Sequence, residues 1–206
     1  MSKRKKTTFS SPLLYGVHPV VETLRAGKRR IEKIYLAREF PEDSELSIEL
    51  KKTELPIRRV PGNDITSLTA TPHHQGIAAR VGPFPYVDVQ SMLPRPAATR
   101  SVLLILDGIQ DPVNVGTILR TAECFGADAI LLTKDRCASI TPVVEKASAG
   151  ASAHVPVARV VNLVRTIEQL KQGGYWIYAS DPRSGDAYDG ADLTGRIGLV
   201  LGSEGK

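Results

Sequence analysis

Asp107-Gly-Ile-Gln-Asp-Pro-Val-Asn-Val-Gly-Thr-Ile-Leu-Arg-Thr-Ala-Glu-Cys-Phe-Gly126 follows directly on the apolar run Val102-Leu-Leu-Ile-Leu106. A short unbroken apolar run is the pattern of a strand buried on both faces. Beyond it, Val115, Ile118, Leu119, Ala122 and Phe125 recur at the spacing of one helix face, which predicts a helix over Asn114 to Phe125. Between run and helix lie small and polar residues suited to a loop that meets a ligand. The same alternation continues down the chain. Ala129-Ile-Leu-Leu132 reads as a strand, Pro142 to Ser148 as a helix, and Val155-Pro-Val157 as a short strand. Asn162 to Gln172 reads as a helix, with strands at Trp176-Ile-Tyr-Ala179 and Ile197-Gly-Leu-Val-Leu201. Strand and helix in turn argue a mostly parallel sheet with helices on its faces.

In such sheets ligands bind beyond the carboxyl ends of the strands. That rule places Asp107 to Gly116, Ser180 to Asp186, and Gly202 onward at one rim. Gly116 and Thr117 are read as the opening of the helix, where free N–H groups and the helix dipole favour an anion. Neither rim loop carries GxGxxG or GxxxxGK[ST], which disfavours nucleotide sites of those kinds.

The first half is a separate small α/β sandwich. His18 to Ala26 reads as a helix, with Pro19 in the first turn and Gly27 at the stop. Ile31 to Leu36 and Ile57 to Val60 read as strands, Glu42 to Lys52 and Asp64 to Leu68 as helices, and Ile77 to Val81 as a final strand. Gly82-Pro-Phe-Pro85 and Pro94-Arg-Pro96 crowd four prolines together. Proline neither continues a helix nor donates in a sheet, so residues 83–100 are expected to link the domains. The expected organisation is a basic disordered tail over 1–12, a first domain over 13–82, and a second over 101–206.

Charge divides the chain in the same place. Residues 1–100 hold 17 Lys+Arg and 10 Asp+Glu, a net of +7; residues 101–206 hold 10 and 12, a net of −2. A basic half beside a near-neutral one suits a polyanion partner, and Lys28-Arg29-Arg30 is the densest basic run of the first domain. No run reaches the ~18 apolar residues of a membrane helix. The basic start leads into no signal-peptide core, so the cytoplasm is the expected compartment. Cys124 and Cys137 form no CxxC pair and are too few for a structural zinc site; both are read as reduced thiols, and no metal is expected.

Some side chains carry chemistry on spacing alone. Arg120 points away from the apolar stripe, where a planar guanidinium can grip phosphate with two N–H groups, or simply meet solvent. Asn114 is either the helix N-cap or a site residue. Glu204 sits between Gly202 and Gly205, glycines that permit close backbone approach to a ligand. His73 and His74 are adjacent, and neighbours in an extended segment point to opposite faces. They are therefore read as loop structure or an RNA contact rather than joint metal ligands, and His18 as a helix-entry residue. Asp181-Pro-Arg-Ser-Gly185 reads as a turn at the rim.

Asp111-Pro-Val-Asn-Val-Gly-Thr-Ile-Leu-Arg-Thr-Ala122, Phe125-Gly-Ala127 and Leu199-Val-Leu-Gly-Ser-Glu-Gly205 together resemble the SpoU/TrmH family. These are the RNA 2′-O-ribose methyltransferases of the SPOUT superfamily. Leu14-Tyr-Gly-Val-His-Pro-Val-Val-Glu-Thr-Leu24 and His74-Gln-Gly-Ile77 resemble that family's RNA-binding domain, in the branch acting on large-subunit ribosomal RNA guanosine. The resemblance implies S-adenosylmethionine as methyl donor, an RNA ribose 2′-hydroxyl as acceptor, and a homodimer. It implies Asn114, Arg120 and Glu204 as catalytic residues and Leu201, Gly202 and Ser203 as cofactor contacts. Lys28, Arg29, Arg30 and His74 are the expected RNA contacts.

The family's third motif, the segment that completes the knot and the cofactor pocket, is not in the sequence as it stands, which is expected to be either a fragment of a longer protein or a truncated, inactive one. Taken alone, the 206 residues are expected to form an incomplete SPOUT domain that exposes apolar surface and dissolves poorly. The alternative function is a non-catalytic RNA-binding protein. A small-molecule transferase fits the basic first half less well.

Overall fold

Two sheets organise the chain, one in each of the units Met1–Phe84 and Pro85–Lys206. The computed structural model describes residues 11–92, 99–180 and 190–203. In the first unit the order is β1 (Leu13–Tyr15), α1 (Val17–Ala26), β2 (Ile31–Ala37), α2 (Glu45–Lys51), β3 (Ile57–Val60), α3 (Gly62–Thr69) and β4 (Ile77–Val81). Its sheet runs β1-β4-β2-β3, with β2 and β3 parallel and the other pairs antiparallel. Strand β1 has only three residues, too few for alternation to announce it.

Alternating side chains in this sheet serve two cores. Leu14, Ile34, Leu36, Ile77, Ala79 and Val81 pack with Val20 and Val21 of α1 and Leu46 and Leu50 of α2. Tyr15, Tyr35, Ala37, Val60 and Ala78 point the other way and pack on Ile65 of α3. Helix α1 stops where expected: Gly27 takes the left-handed conformation, φ 60°, and its N–H bonds Thr23 O.

The second unit contains α4 (Val89–Met92), β5 (Ser101–Asp107), α5 (Pro112–Cys124), β6 (Ala129–Thr133), α6 (Pro142–Ala147), β7 (Val157–Val160), α7 (Leu163–Gln172), β8 (Trp176–Ala179) and β9 (Arg196–Gly202). The sheet order is β7-β6-β5-β9-β8 and every neighbouring pair is parallel. One face packs Leu103, Ile105, Leu131 and Ala158 against Leu170 of α7 and Met92 of α4. No helix among the described residues is long and apolar enough to cross a membrane.

Three details differ from the sequence reading. Strand β7 begins after Pro156, whose carbonyl takes the Ile130 N–H at 2.9 Å, so proline precedes the ladder instead of interrupting it. Residues 85–92, inside the stretch read as a linker, pack within the second unit. There Val87 N–H bonds Val157 O at 2.9 Å and the Tyr86 hydroxyl accepts from Ile140 N–H at 2.8 Å.

The third difference is the start of α5. Asp111, not Asn114, is the N-cap, its Oδ1 accepting from Val113 N–H at 2.9 Å with Pro112 in the first turn. Gly116 is consequently one turn inside the helix and buried, so it is not at an anion-binding terminus. A Cβ there would lie 2.5 Å from Ala147 Cβ and 2.7 Å from Val144 O of α6. The missing side chain is what lets α5 and α6 touch. Gly116→Ala is therefore expected to destabilise the second unit by about 1–3 kcal/mol through overpacking, despite alanine's better helix propensity. Urea unfolding would show a lower midpoint with an unchanged slope.

Candidate active site

From β5 the chain runs on through α5 to β6 on one side, while β9 occupies the other side of β5. Adjacent strands with this arrangement leave a crevice at their carboxyl ends. Asp107 and Gly202 are direct partners at that end, so the loops leaving both strands start at the same level. Ser203 N–H donates to Asp107 O at 3.1 Å and ties the loops together. Gly108, at φ 84°, sits beneath Ser203, whose Oγ would lie 3.4 Å from a Cβ there.

The result is a cleft of about 910 Å³ whose walls include Asp107, Gln110, Asn114, Thr117, Ile118 and Arg136, with Leu201, Gly202 and Ser203 as its floor. That volume is at the upper end of small-molecule sites. Among the described residues nothing lies within 4 Å of where a Gly202 Cβ would be, so the floor is open above the backbone.

Charge enters through Asp107. The Arg136 Nη2 approaches its Oδ1 at 2.8 Å. Oδ1 is buried, yet the guanidinium is off line and no described group donates it a hydrogen bond. The carboxylate is thus neutralised by proximity and retains an unfilled acceptor. Behind it the Cys137 thiol bonds Leu106 O at 3.1 Å, and Ala138 N–H bonds Ile109 O at 2.9 Å. The loop after β6 therefore braces the loop after β5. Both cysteines are free, and no metal-ligating cluster occurs among the described residues.

Of the expected site residues, the cleft gathers Asn114, Leu201, Gly202 and Ser203. Asn114 is exposed in the wall. Arg120 is exposed on α5 and is not a wall residue; six residues beyond Asn114, it is rotated about 120° around the helix. Glu204 and the Asp181 to Gly185 turn lie outside the described residues. Asp107 and Arg136 were not singled out from sequence. Asp107 closes an apolar strand, a legible signal, whereas Arg136 reaches the cleft only through the β6 loop and has none. A second cavity, of about 720 Å³ beside Trp176 and Arg196, lies toward the amino ends of β8 and β9 and contains no expected site residue.

The expected RNA contacts fare unevenly. Lys28 and Arg30 are exposed. Arg29 turns inward: its Nε donates to Gly82 O at 2.8 Å and its guanidinium lies 5.8 Å from the Phe84 ring centre. His74 is a correction. It is only 8% exposed, its Nδ1 accepts from Gly76 N–H at 3.0 Å, and Nε2 meets Thr66 Oγ1 at 2.9 Å. With Nδ1 accepting, the ring proton is on Nε2 and points at Thr66. His74 holds the turn before β4, with both ring nitrogens occupied.

Residues 101–206 match the SpoU rRNA Methylase family, and residues 13–87 match the RNA 2′-O ribose methyltransferase substrate-binding domain. The chain belongs to the SpoU/TrmH family. A tRNA/rRNA methyltransferase of Synechocystis is 40% identical over 94% of this chain, which spans only 52% of that relative. A Staphylococcus saprophyticus protein named for the TrmH family of tRNA/rRNA methyltransferases is 38% identical over 94% of this chain and 79% of its own length. Among solved structures, the SpoU methyltransferase AviRb of Streptomyces viridochromogenes shares the fold, with TM-score 0.76 at 18% identity over 99% of this chain and 77% of that one.

In this SpoU-family chain, burial pushes the His74 pKa below its usual 6.5. The unfolded chain therefore takes up the proton first. The stabilising contribution is complete above about pH 6.5 and is lost as pH falls toward the folded-state value. The melting midpoint should drop between about pH 7.5 and about pH 5, and His74→Asn should flatten that part of the profile.

Proposed function

We propose that this chain transfers a methyl group from S-adenosylmethionine to a ribose 2′-hydroxyl of RNA, with large-subunit ribosomal RNA guanosine as the target. It acts in the cytoplasm as a homodimer. The observation that carries the reading is the crevice at Asp107 and Gly202. It is assembled from the two segments by which the sequence resembles the family, in a chain that also carries the family's substrate-binding domain.

The residues present suit the cofactor. Asp107, half-buried in the cleft wall, brings a carboxylate oxygen that no described group fills with a hydrogen bond. Gly202 keeps the floor open for close backbone approach, and Leu201 and Ser203 flank it. AviRb was solved in complex with AdoMet, and its fold matches this chain's. S-adenosylmethionine, when bound, supplies an electrophilic methyl group on a cationic sulfur.

The chain's own residues then divide the work. Asn114, in the cleft wall, orients the ribose hydroxyl with its amide. Arg120, off the wall and exposed, holds the RNA phosphate beside the target. An arginine stays protonated, so its contribution is to favour loss of the hydroxyl proton electrostatically rather than to accept it. Glu204 completes the catalytic group.

Titration with S-adenosylmethionine and methyl transfer to ribosomal RNA test this reading separately. Gly202→Leu is expected to abolish cofactor binding while leaving the melting midpoint unchanged, because its side chain enters open cleft. Arg120→Ala is expected to bind cofactor normally and to lose about 100-fold in transfer rate. Cofactor binding without transfer to any RNA would refute the enzyme and leave the RNA-binding alternative.

A further inference from the structure

The net positive charge of the first half is not evenly available to a partner. On the α1–α2 side the fold neutralises its own cations. Arg25 meets Glu22, Glu45 and Glu49 at 3.0, 2.8 and 3.2 Å. Lys52 pairs with Glu49 at 3.2 Å, and Arg59 approaches Glu42 at 3.7 Å. Arg29, from the Lys28-Arg29-Arg30 run, is committed to Gly82 and Phe84.

The opposite face of the sheet is different. Arg80 and Lys33 are direct partners on the antiparallel strands β4 and β2, and Arg58 is the partner of Tyr35 on the parallel pair β2 and β3. Partners share a face, and Tyr35 is packed on the α3 side. Three cations on three adjacent strands therefore project from the α3 side of the sheet. Helix α3 covers Tyr15, Tyr35, Ala37, Val60 and Ala78. Arg58 is exposed, while Lys33 and Arg80 are half-buried. A register shift at Glu32 puts Lys33 on this side: Ile31 faces the α1–α2 core and Lys33 faces away from it.

Like charges directly opposite one another in a sheet are destabilising. Here Lys33 and Arg80 are so placed, and among the described residues neither they nor Arg58 has an acidic partner. Lys33 lies over the Tyr35 ring, its Nζ 5.6 Å from the centroid. On its other side the same small domain pairs its cations with carboxylates, and among the described residues no such ion pair forms here. We infer that Lys33, Arg58 and Arg80 form a phosphate-binding face that positions the RNA backbone, and that this face, rather than the Lys28-Arg29-Arg30 run, grips the substrate.

The chemistry specifies the mode as well. Tyr15 and Tyr35 are 8% and 9% exposed, so their rings offer no platform for stacking bases. What remains are charges that hold phosphate without reading sequence. The face orients RNA, and selection of the nucleotide falls to the second unit.

This inference rests on RNA being the substrate, and the experiment separates the two. The full chain, the triple variant Lys33→Gln/Arg58→Gln/Arg80→Gln and the control Lys28→Gln/Arg30→Gln are titrated with fluorescently labelled polyuridylate over a range of salt. Melting curves verify folding, and a Lys33→Arg/Arg58→Lys/Arg80→Lys variant preserves the charge. The triple variant should lose more than about tenfold in affinity, and its slope of log K against log salt should shrink by about 2, near 0.7 for each phosphate contact removed. The control and the charge-preserving variant should stay near the parent. If the triple variant binds like the parent while the control loses affinity, the face is wrong and the RNA reading stands. If the parent itself binds no RNA, both fall.

Discussion

The parallel ladder between β5 and β9 is the constraint on which the second unit depends. It joins Ser101 to Arg196 at one end and Asp107 to Gly202 at the other. Parallel strands cannot be joined by a hairpin, and here strands β6, β7 and β8 and helices α5, α6 and α7 intervene. Only when that ladder forms do the two loops leave at one level, close enough for Ser203 N–H to bond Asp107 O. The cleft floor, the open space above Gly202 and the place of the Asp107 carboxylate in the wall all follow from that pairing.

A second close approach sets the wall. Gly116 lets α5 lie against α6 without an intervening side chain. The helix is held at one rotation, with Val115, Leu119 and Ala122 buried and Asn114 and Thr117 on the cleft side. That rotation separates Asn114 from Arg120. The two therefore face different things, one the cleft and one its exterior, and this suits a division between handling the ribose and holding the backbone. Asp111 contributes from below by capping the helix, which leaves the Asn114 amide for the cleft.

In the first unit electrostatics rather than packing distinguishes the surfaces. Both faces of its sheet bury apolar side chains, yet among the described residues ion pairs accompany the cations on only one of them. Leaving like charges side by side opposes folding, and a polyanion removes that cost when it binds. A basic run in the sequence was a poor guide to this surface. Arg29 sits in such a run and is turned inward, whereas Lys33, Arg58 and Arg80 are scattered and meet only across three strands.

Local physics made much of the protein legible from sequence. Unbroken apolar runs announced β5, β6 and β9, the spacing from Val115 to Ala122 announced α5, and Gly27 announced the end of α1. Such signals survive because strand and helix periods and left-handed glycine stops are properties of a few consecutive residues. The rim residues of β5 and β9 were legible for the same reason, since a strand's carboxyl end can be read from where its apolar run stops. Partners distant in sequence could not be read. Nothing near Gly116 says that Ala147 will touch it, nothing near His74 says that Thr66 and Gly76 will occupy its ring, and nothing near Arg136 says that it will face Asp107. Sequence determined the elements and the two rim segments. Tertiary structure decided which charges are neutralised and which are left for a ligand, because that depends on neighbours brought together only when the sheets form.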